Sequence, residues 1–424
     1  MKRLLVLVLL SVIVFSASSE GRTEPGTVNL KMSWWGGDSR HQGTIAAIEL
    51  WNKTHPNVKV EYSYSGWDGY HDKLAVQLAG GTAPDVFQYS YSNTAAYGDM
   101  DVLEDLTPYA KTKFGDFAEG MWRFGIYNGK KLGAPTGAST YALMYNKTML
   151  QKLGVRLLTQ DETWESYLEL CKAATRDTNG DGKIDFWGAG HLYEIPVDGL
   201  IPIYNQFGIQ FWSKDGKHSM FDNATAQGIW KMFKTFVDAK VCLGPLDATV
   251  PEGLSPISAG LVATEFGPAS GFSSEVAAAE GKYELDMVRL PQHIKGKSGQ
   301  VIDTPMLFGI YKKGKNKPQA IDFLAWFLTD VEAAKTAGMI RGMYGTAKLR
   351  EALKGTFKGY DLAMVKLLDL VEAENNPLPM NDPPQRDQWE DILSTERDKL
   401  VHGQVTLEQF FNNAIKYADP SLSE

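Results

Sequence analysis

Three turns in the first hundred residues carry side chains that could do chemistry with a polar ligand. Trp34-Trp35-Gly36-Gly37-Asp38-Ser39-Arg40-His41-Gln42 follows one strand-like segment, Ser63-Tyr64-Ser65-Gly66-Trp67-Asp68-Gly69-Tyr70 a second, and Gln88-Tyr89-Ser90-Tyr91-Ser92 a third. Each sets aromatic rings beside Asp, Arg, Gln or Ser. A saccharide presents flat C–H faces and a rim of hydroxyls, so rings suit its faces and planar carboxylate, amide or guanidinium groups suit its rim. On this reading Trp35 and Trp67 are platforms, and Asp38, Arg40 and Gln88 are rim partners. The bland alternative makes the tryptophans edge-of-core residues and Asp38 a neighbour of a helix N-cap.

Enzymatic readings find less support. HExxH, GxSxG, Walker and CxxC motifs are absent, and the seven His residues are scattered with no pair at metal-ligand spacing. A secreted glycoside hydrolase needs two carboxylates facing each other across its substrate, and no pair among the 51 acidic residues stands out. A surface lectin is the third reading.

A further motif, Asp177-Thr178-Asn179-Gly180-Asp181-Gly182-Lys183-Ile184-Asp185, follows the opening of a calcium loop. Asp177, Asn179, Asp181 and Asp185 take the first, third, fifth and ninth positions; Lys183 supplies a carbonyl and Gly182 the sharp turn. Gly188 stands where a bidentate Glu should complete an EF-hand. Two readings stay open: a structural calcium ion, or a polar turn in which Asn and Gly provide left-handed geometry.

These turns need elements to hold them. Val28 to Trp34, Val58 to Tyr64 and Asp85 to Tyr89 alternate as strands. Ile45, Ile48 and Trp51, then Tyr70, Leu74 and Leu78, recur at helical spacing between them. A β-α-β-α-β order implies a largely parallel sheet covered by helices. Further strands are expected at 141–145, 261–266, 283–290 and 306–311, with helices at 163–174 and 222–240 and a nearly all-helical region from Lys317. An α/β body of this kind forms its ligand crevice outside the carboxyl ends of the strands, where the three turns lie.

Met1 to Ser19 has the layout of a signal peptide: Lys2 and Arg3, an apolar run from Leu4 to Phe15, then four small residues. The run is shorter than the roughly 20 residues of a membrane span. No cysteine lies near it, so the expectation is a periplasmic or secreted protein without a lipid anchor. The remaining chain, about 405 residues, suggests two large domains or three small ones. Without Lys2 and Arg3 the net charge of −8 becomes −10, which argues against nucleic acid as partner. Cys171 and Cys242 are the two thiols, expected buried and unpaired, with a bridge as the alternative.

The phrases WWGGDSRHQ, LAGGTAPDVFQ, YNGKKLGAP, LMYNKTML and LVATEFGPASGF, in this order, resemble the family 1 extracellular solute-binding proteins, the sugar receptors of bacterial ABC importers. The resemblance implies an α/β, two-lobed periplasmic binding protein fold with a ligand cleft at the hinge between lobes. It places residues 20–135 and 303–345 in lobe 1 and residues 136–302 and 346–424 in lobe 2. It implies a monomer that closes on a sugar or oligosaccharide and presents it to importer membrane subunits, with no cofactor beyond a possible structural calcium. Carried over by position, the contacts are Trp35, Asp38, Arg40, Trp67 and Gln88, then Ser139, Tyr141, Asn205, Gly267, Ser270, Phe272, Asp303 and Arg341. Arg40 and Arg341 could serve an acidic sugar or neutral hydroxyls, and the sequence leaves both open.

Overall fold

The computed structural model describes residues 26–418, apart from 116, 118, 214–218, 221–223, 245–246, 305, 358 and 378–385. The signal-peptide reading of residues 1–19 lies outside the described residues.

The chain opens with β1 (Val28–Trp35), α1 (Asp38–Thr54), β2 (Val58–Ser65), α2 (Tyr70–Ala79) and β3 (Val86–Ser90). Next come β4 (Ala134–Pro135) and β5 (Tyr141–Asn146), then α3 (Trp164–Ala174), α4 (Val197–Gln206) and α5 (Ala224–Asp238). After them run β6 (Thr264–Pro268), β7 (Leu285–Val288), β8 (Met306–Ile310), α6 (Lys317–Thr329), α7 (Val331–Ala337), α8 (Tyr360–Glu374), α9 (Arg386–Val401) and α10 (Leu407–Ala418).

Two sheets organise these elements. The first has the order β2-β1-β3-β8-β4. β1 pairs in parallel with β2, from Val28 opposite Val58 to Trp35 opposite Ser65, and with β3 at Met32–Val86. β8 and β4 join antiparallel. The second sheet, β6-β5-β7, is antiparallel throughout. The expected largely parallel sheet therefore holds for the βαβαβ opening alone. A parallel neighbour needs a covering crossover, whereas β6 and β7 reach β5 from more than a hundred residues further along the chain, and both pair with it in the opposite sense.

Period-two alternation positions the faces. Leu30, Met32 and Trp34 point from β1 into a core shared with Ala47, Ile48 and Trp51 of α1 and with Phe323, Leu324 and Phe327 of α6. On the other face Phe87, Tyr89 and Leu307 meet Tyr70, Leu74 and Leu78 of α2. Both faces are thus covered, as a parallel sheet requires. Leu143 and Tyr145 of β5 pack with Trp164 and Tyr167 of α3, with Ile229 and Phe233 of α5, and with helices α9 and α10. Thr163 caps α3 through a reciprocal pair with Ser166, a motif that contributes about 1 kcal/mol.

Two crossing segments run between the sheets. Ser139 and Asp303 exchange backbone hydrogen bonds of 2.9 and 2.8 Å, and Ala138 and Met343 exchange bonds of 2.7 and 2.8 Å. The Gln300 amide donates to the Tyr141 carbonyl just beyond. One buried core reaches across this junction, from Leu30 and Trp34 of the first sheet to Ala142, Met144 and Met287 of the second.

Candidate functional site

The three aromatic turns lie together because β1, β2 and β3 are parallel neighbours and end at the same sheet edge. Trp35 closes β1, with its ring 5.3 Å from Trp67 edge-on, 5.3 Å from Tyr70 and 4.9 Å from His71. Trp35 is 6% exposed and belongs to the core, whereas Trp67 is 57% exposed. Of the two expected platforms, Trp67 offers an open ring and Trp35 is the wall it leans on.

Gln88 is fully buried. Its Nε2 donates to the Trp35 carbonyl and its Oε1 accepts from Arg341 Nε at 2.8 Å. Gln88 and Arg341 therefore brace the turns from beneath instead of standing on the cleft surface. Arg40 lies in the first turn of α1 and donates to the carbonyls of Ile340 and Trp35 at 3.0 and 3.2 Å. Asp38, in the same turn, is exposed. His41 accepts from Trp34 Nε1 at 3.1 Å and stacks on Tyr64 at 4.2 Å, which makes it an orienting residue.

From the second body, the Ser139 hydroxyl is buried and accepts the Ser270 N–H at 3.1 Å, so crossing segment and turn 267–271 are tied together. Tyr141 is buried, and burial drives its phenol pKa well up, reinforced by Asp198, Glu390 and Asp303. Phe272 is buried in the core, where its ring packs below the turn, and Gly267 sits in β6 opposite Ala142. The Asn205 amide is engaged with the carbonyls of Gly299 and Pro377 and with Gln210, an arrangement that joins loops. Asp303 Oδ1 is buried without a hydrogen-bond partner. Burial first, then the charge of Asp198, pushes its pKa up to about 7.

Sequence reasoning missed the residues that join the two bodies. Tyr91, in the turn after β3, donates its phenol to Asp198 in the first turn of α4 at 2.5 Å. Arg386 Nη2 donates to the same carboxylate oxygen at 3.0 Å and lies 3.9 Å from Glu390, which accepts the N–H of Val197. The i,i+4 spacing of Arg386 and Glu390 was a readable signal; nothing in the sequence marks Asp198.

In the loop 177–185 the carboxylates face their own backbone. Asp177 accepts the N–H groups of Asn179, Gly180 and Gly182, Asp181 that of Lys183, and Asp185 that of Thr178. Among the described residues no three His, Cys, Asp or Glu side chains gather as a metal site. An ion would require Asp177, Asp181 and Asp185 to turn inward together with Asn179 and the Lys183 carbonyl. Cys171 and Cys242 are free and buried.

A cavity of about 770 Å³ lies elsewhere, lined by Ala138, Ile302, Met343, Phe357, Leu368 and Val371 among others. It includes none of the three aromatic turns and lies against α8, so it is not the site they define.

Two sheets with their own covering helices, joined through residues 138–139 and 303, give a mixed α/β, two-lobed architecture. Residues 37–334 match the profile of the bacterial extracellular solute-binding proteins, and the chain belongs to that family. The arabinooligosaccharide-binding protein of Bacillus subtilis is 28% identical over 173 residues, 38% of this chain and 39% of that protein. The matches span about two fifths of the length of such curated relatives, 41% and 39% for two of them. Among solved structures, a periplasmic solute-binding protein from Pectobacterium atrosepticum aligns with a TM-score of 0.79 at 21% identity, over 94% of this chain and 99% of that one. A periplasmic oligogalacturonide-binding protein from Yersinia enterocolitica, in complex with saturated digalacturonic acid, aligns with a TM-score of 0.78 at 24% identity, over 93% and 99%. At these identities the likeness shows the fold.

Proposed function

We propose that this protein is a non-catalytic receptor that captures a sugar or oligosaccharide between its lobes and delivers it to the membrane subunits of an ABC importer. The observation that carries the reading is the convergence of three aromatic and polar turns on one sheet edge, facing Asp198 of the other body through Tyr91. Residues 20–135 with 303–345 form the first lobe of this proposal, and 136–302 with 346–424 the second. The membership of β1, β2, β3, β4 and β8 in one sheet and β5, β6 and β7 in the other supports that division. Named relatives and neighbours bind arabinooligosaccharides and digalacturonic acid, which supports a saccharide ligand.

Ligand touching both lobes favours the closed state by the contacts that exist only there. Hydrolysis finds no support in the cleft, since the Asp198 carboxylate is taken up by Tyr91 and Arg386 instead of being poised over a water. A thermal-shift screen over mono-, oligosaccharides and polyols tests the reading. Ligand at 100 times its dissociation constant adds about 2.7 kcal/mol. A panel in which nothing moves the midpoint, or in which sugars are cleaved, overturns it.

A further inference from the structure

Arg40 and Arg341 are guanidiniums placed near each other without an acidic partner. Arg341 is 4% exposed. Its Nε donates to Gln88, its Nη1 donates to Thr44 Oγ1 at 2.9 Å, and its Nη2 has no partner. The rings of Phe308 and Phe327 lie 5.1 and 5.7 Å from its centre. Arg40 uses Nε and Nη1 on two carbonyls, and its Nη2 makes no bond. Among the described residues no carboxylate forms an ion pair with either group, and Asp38, in the same turn as Arg40, is no exception.

Neutral acceptors and ring faces fix these cations in place but do not neutralise them. Burial lowers the Arg40 pKa to about 10 and drives that of Arg341 well down, with Arg40 adding repulsion. An unpaired buried charge is costly unless something compensates it. Arg40 also stands in the first turn of the 17-residue α1, where the Gly37 cap brings no side chain. The first N–H groups there lack intrahelical partners, and the helix dipole adds positive potential. His41 contributes little charge, because burial holds its pKa down and the two arginines lower it further against Asp38.

We propose that the ligand is an anionic saccharide, whose carboxylate or sulfate group seats on Arg40 Nη2 and the first turn of α1, with Arg341 as the cation behind. The proposal rests on the receptor reading and specifies the class of sugar.

Calorimetric titration of the full mature protein with three probes tests this: a disaccharide of uronic acids, a sulfated disaccharide and the neutral disaccharide of matching linkage. Expected is binding of a charged probe about a hundredfold or more tighter than the neutral one, weakening as salt is raised. Uronate preference assigns a carboxylate, and preference for the sulfated probe assigns a sulfate; either supports the site. Arg40→Gln should erase the preference, while Arg40→Lys retains part of it, each read on protein whose cooperative melting shows that it is folded. The wild-type comparison needs no variant, so it decides the matter even where a variant misfolds. Equal affinity for charged and neutral probes, or an unaltered preference in folded Arg40→Gln, overturns the inference and leaves the receptor reading standing. Failure of every saccharide, charged or neutral, overturns both.

Discussion

The phenol of Tyr91 donates a 2.5 Å hydrogen bond to the carboxylate of Asp198 and thereby joins the first sheet's β3 turn to helix α4 of the other body. The two residues are 107 positions apart in sequence, and Arg386 donates to the same carboxylate oxygen at 3.0 Å. A bond across the cleft strengthens whichever state brings the lobes together. Tyr91→Phe should therefore weaken ligand binding about tenfold, since a hydrogen bond to a charged group contributes about 1.5–3 kcal/mol. The loss should fall on dissociation, measured by stopped-flow fluorescence, with the apo midpoint unmoved. An unchanged off-rate would mean that the contact is not specific to the closed state.

Trp67 and Trp35 are expected to respond differently to truncation. Trp67 is exposed and free to stack on a ligand, so Trp67→Ala should cost at least tenfold in affinity and little stability. Trp35 packs on Tyr70 and His71. Trp35→Ala should destabilise the fold by about 3–5 kcal/mol. Urea unfolding of both variants separates the roles, and equal stability loss in both would remove Trp67 from the cleft surface.

Asp303 makes stability depend on pH with a definite sign. Its folded pKa is pushed up from 3.8 to about 7, first by burial and then by Asp198. Between those values the folded state keeps a proton that the unfolded chain has lost, so the contribution is full below the lower value and is lost as pH rises through the upper one. Glu265, raised to about 7 chiefly by burial, adds the same sign. Apo stability should decline from pH 5 to pH 8, by at most about 1.4 kcal/mol per unit for each group. Asp303→Asn should flatten that decline in urea titrations; an identical slope in the variant would show Asp303 ionised throughout.

For the loop 177–185 we propose that calcium, when supplied, draws Asp177, Asp181 and Asp185 away from their own N–H groups and onto the ion. Calcium added to chelator-treated protein should then raise the melting midpoint by a few degrees and leave saccharide affinity unchanged. An unmoved midpoint makes the loop a polar turn. Lost saccharide binding in chelated, folded protein would bring the ion into the binding step.

Much of the local fold could be read directly. The strands expected at 28–34 and 58–64 run one residue further, and the helix expected at 163–174 begins at Trp164, with Thr163 as its cap. Just after the loop 177–185, Phe186 and Trp187 are buried and form isolated bridges to Arg176 and Val262. What was hidden is non-local. Alternation says that β5, β6 and β7 are strands but not that they pair antiparallel, because β6 and β7 lie more than a hundred residues from their partner β5. The same limit applies to the site. The residue types in WWGGDSRH suggest ligand contact, yet burial alone separates exposed Trp67 from buried Trp35, Gln88 and Arg341. Asp198 became visible only when folding brought Tyr91 to it.

The receptor reading is tested most directly by one titration calorimetry series with a saccharide panel, followed by recovery of the sugar. Expected is saturable binding of at least one saccharide at one site per chain, with the sugar recovered intact. A panel that gives no binding at any concentration, or a sugar recovered cleaved, would contradict it.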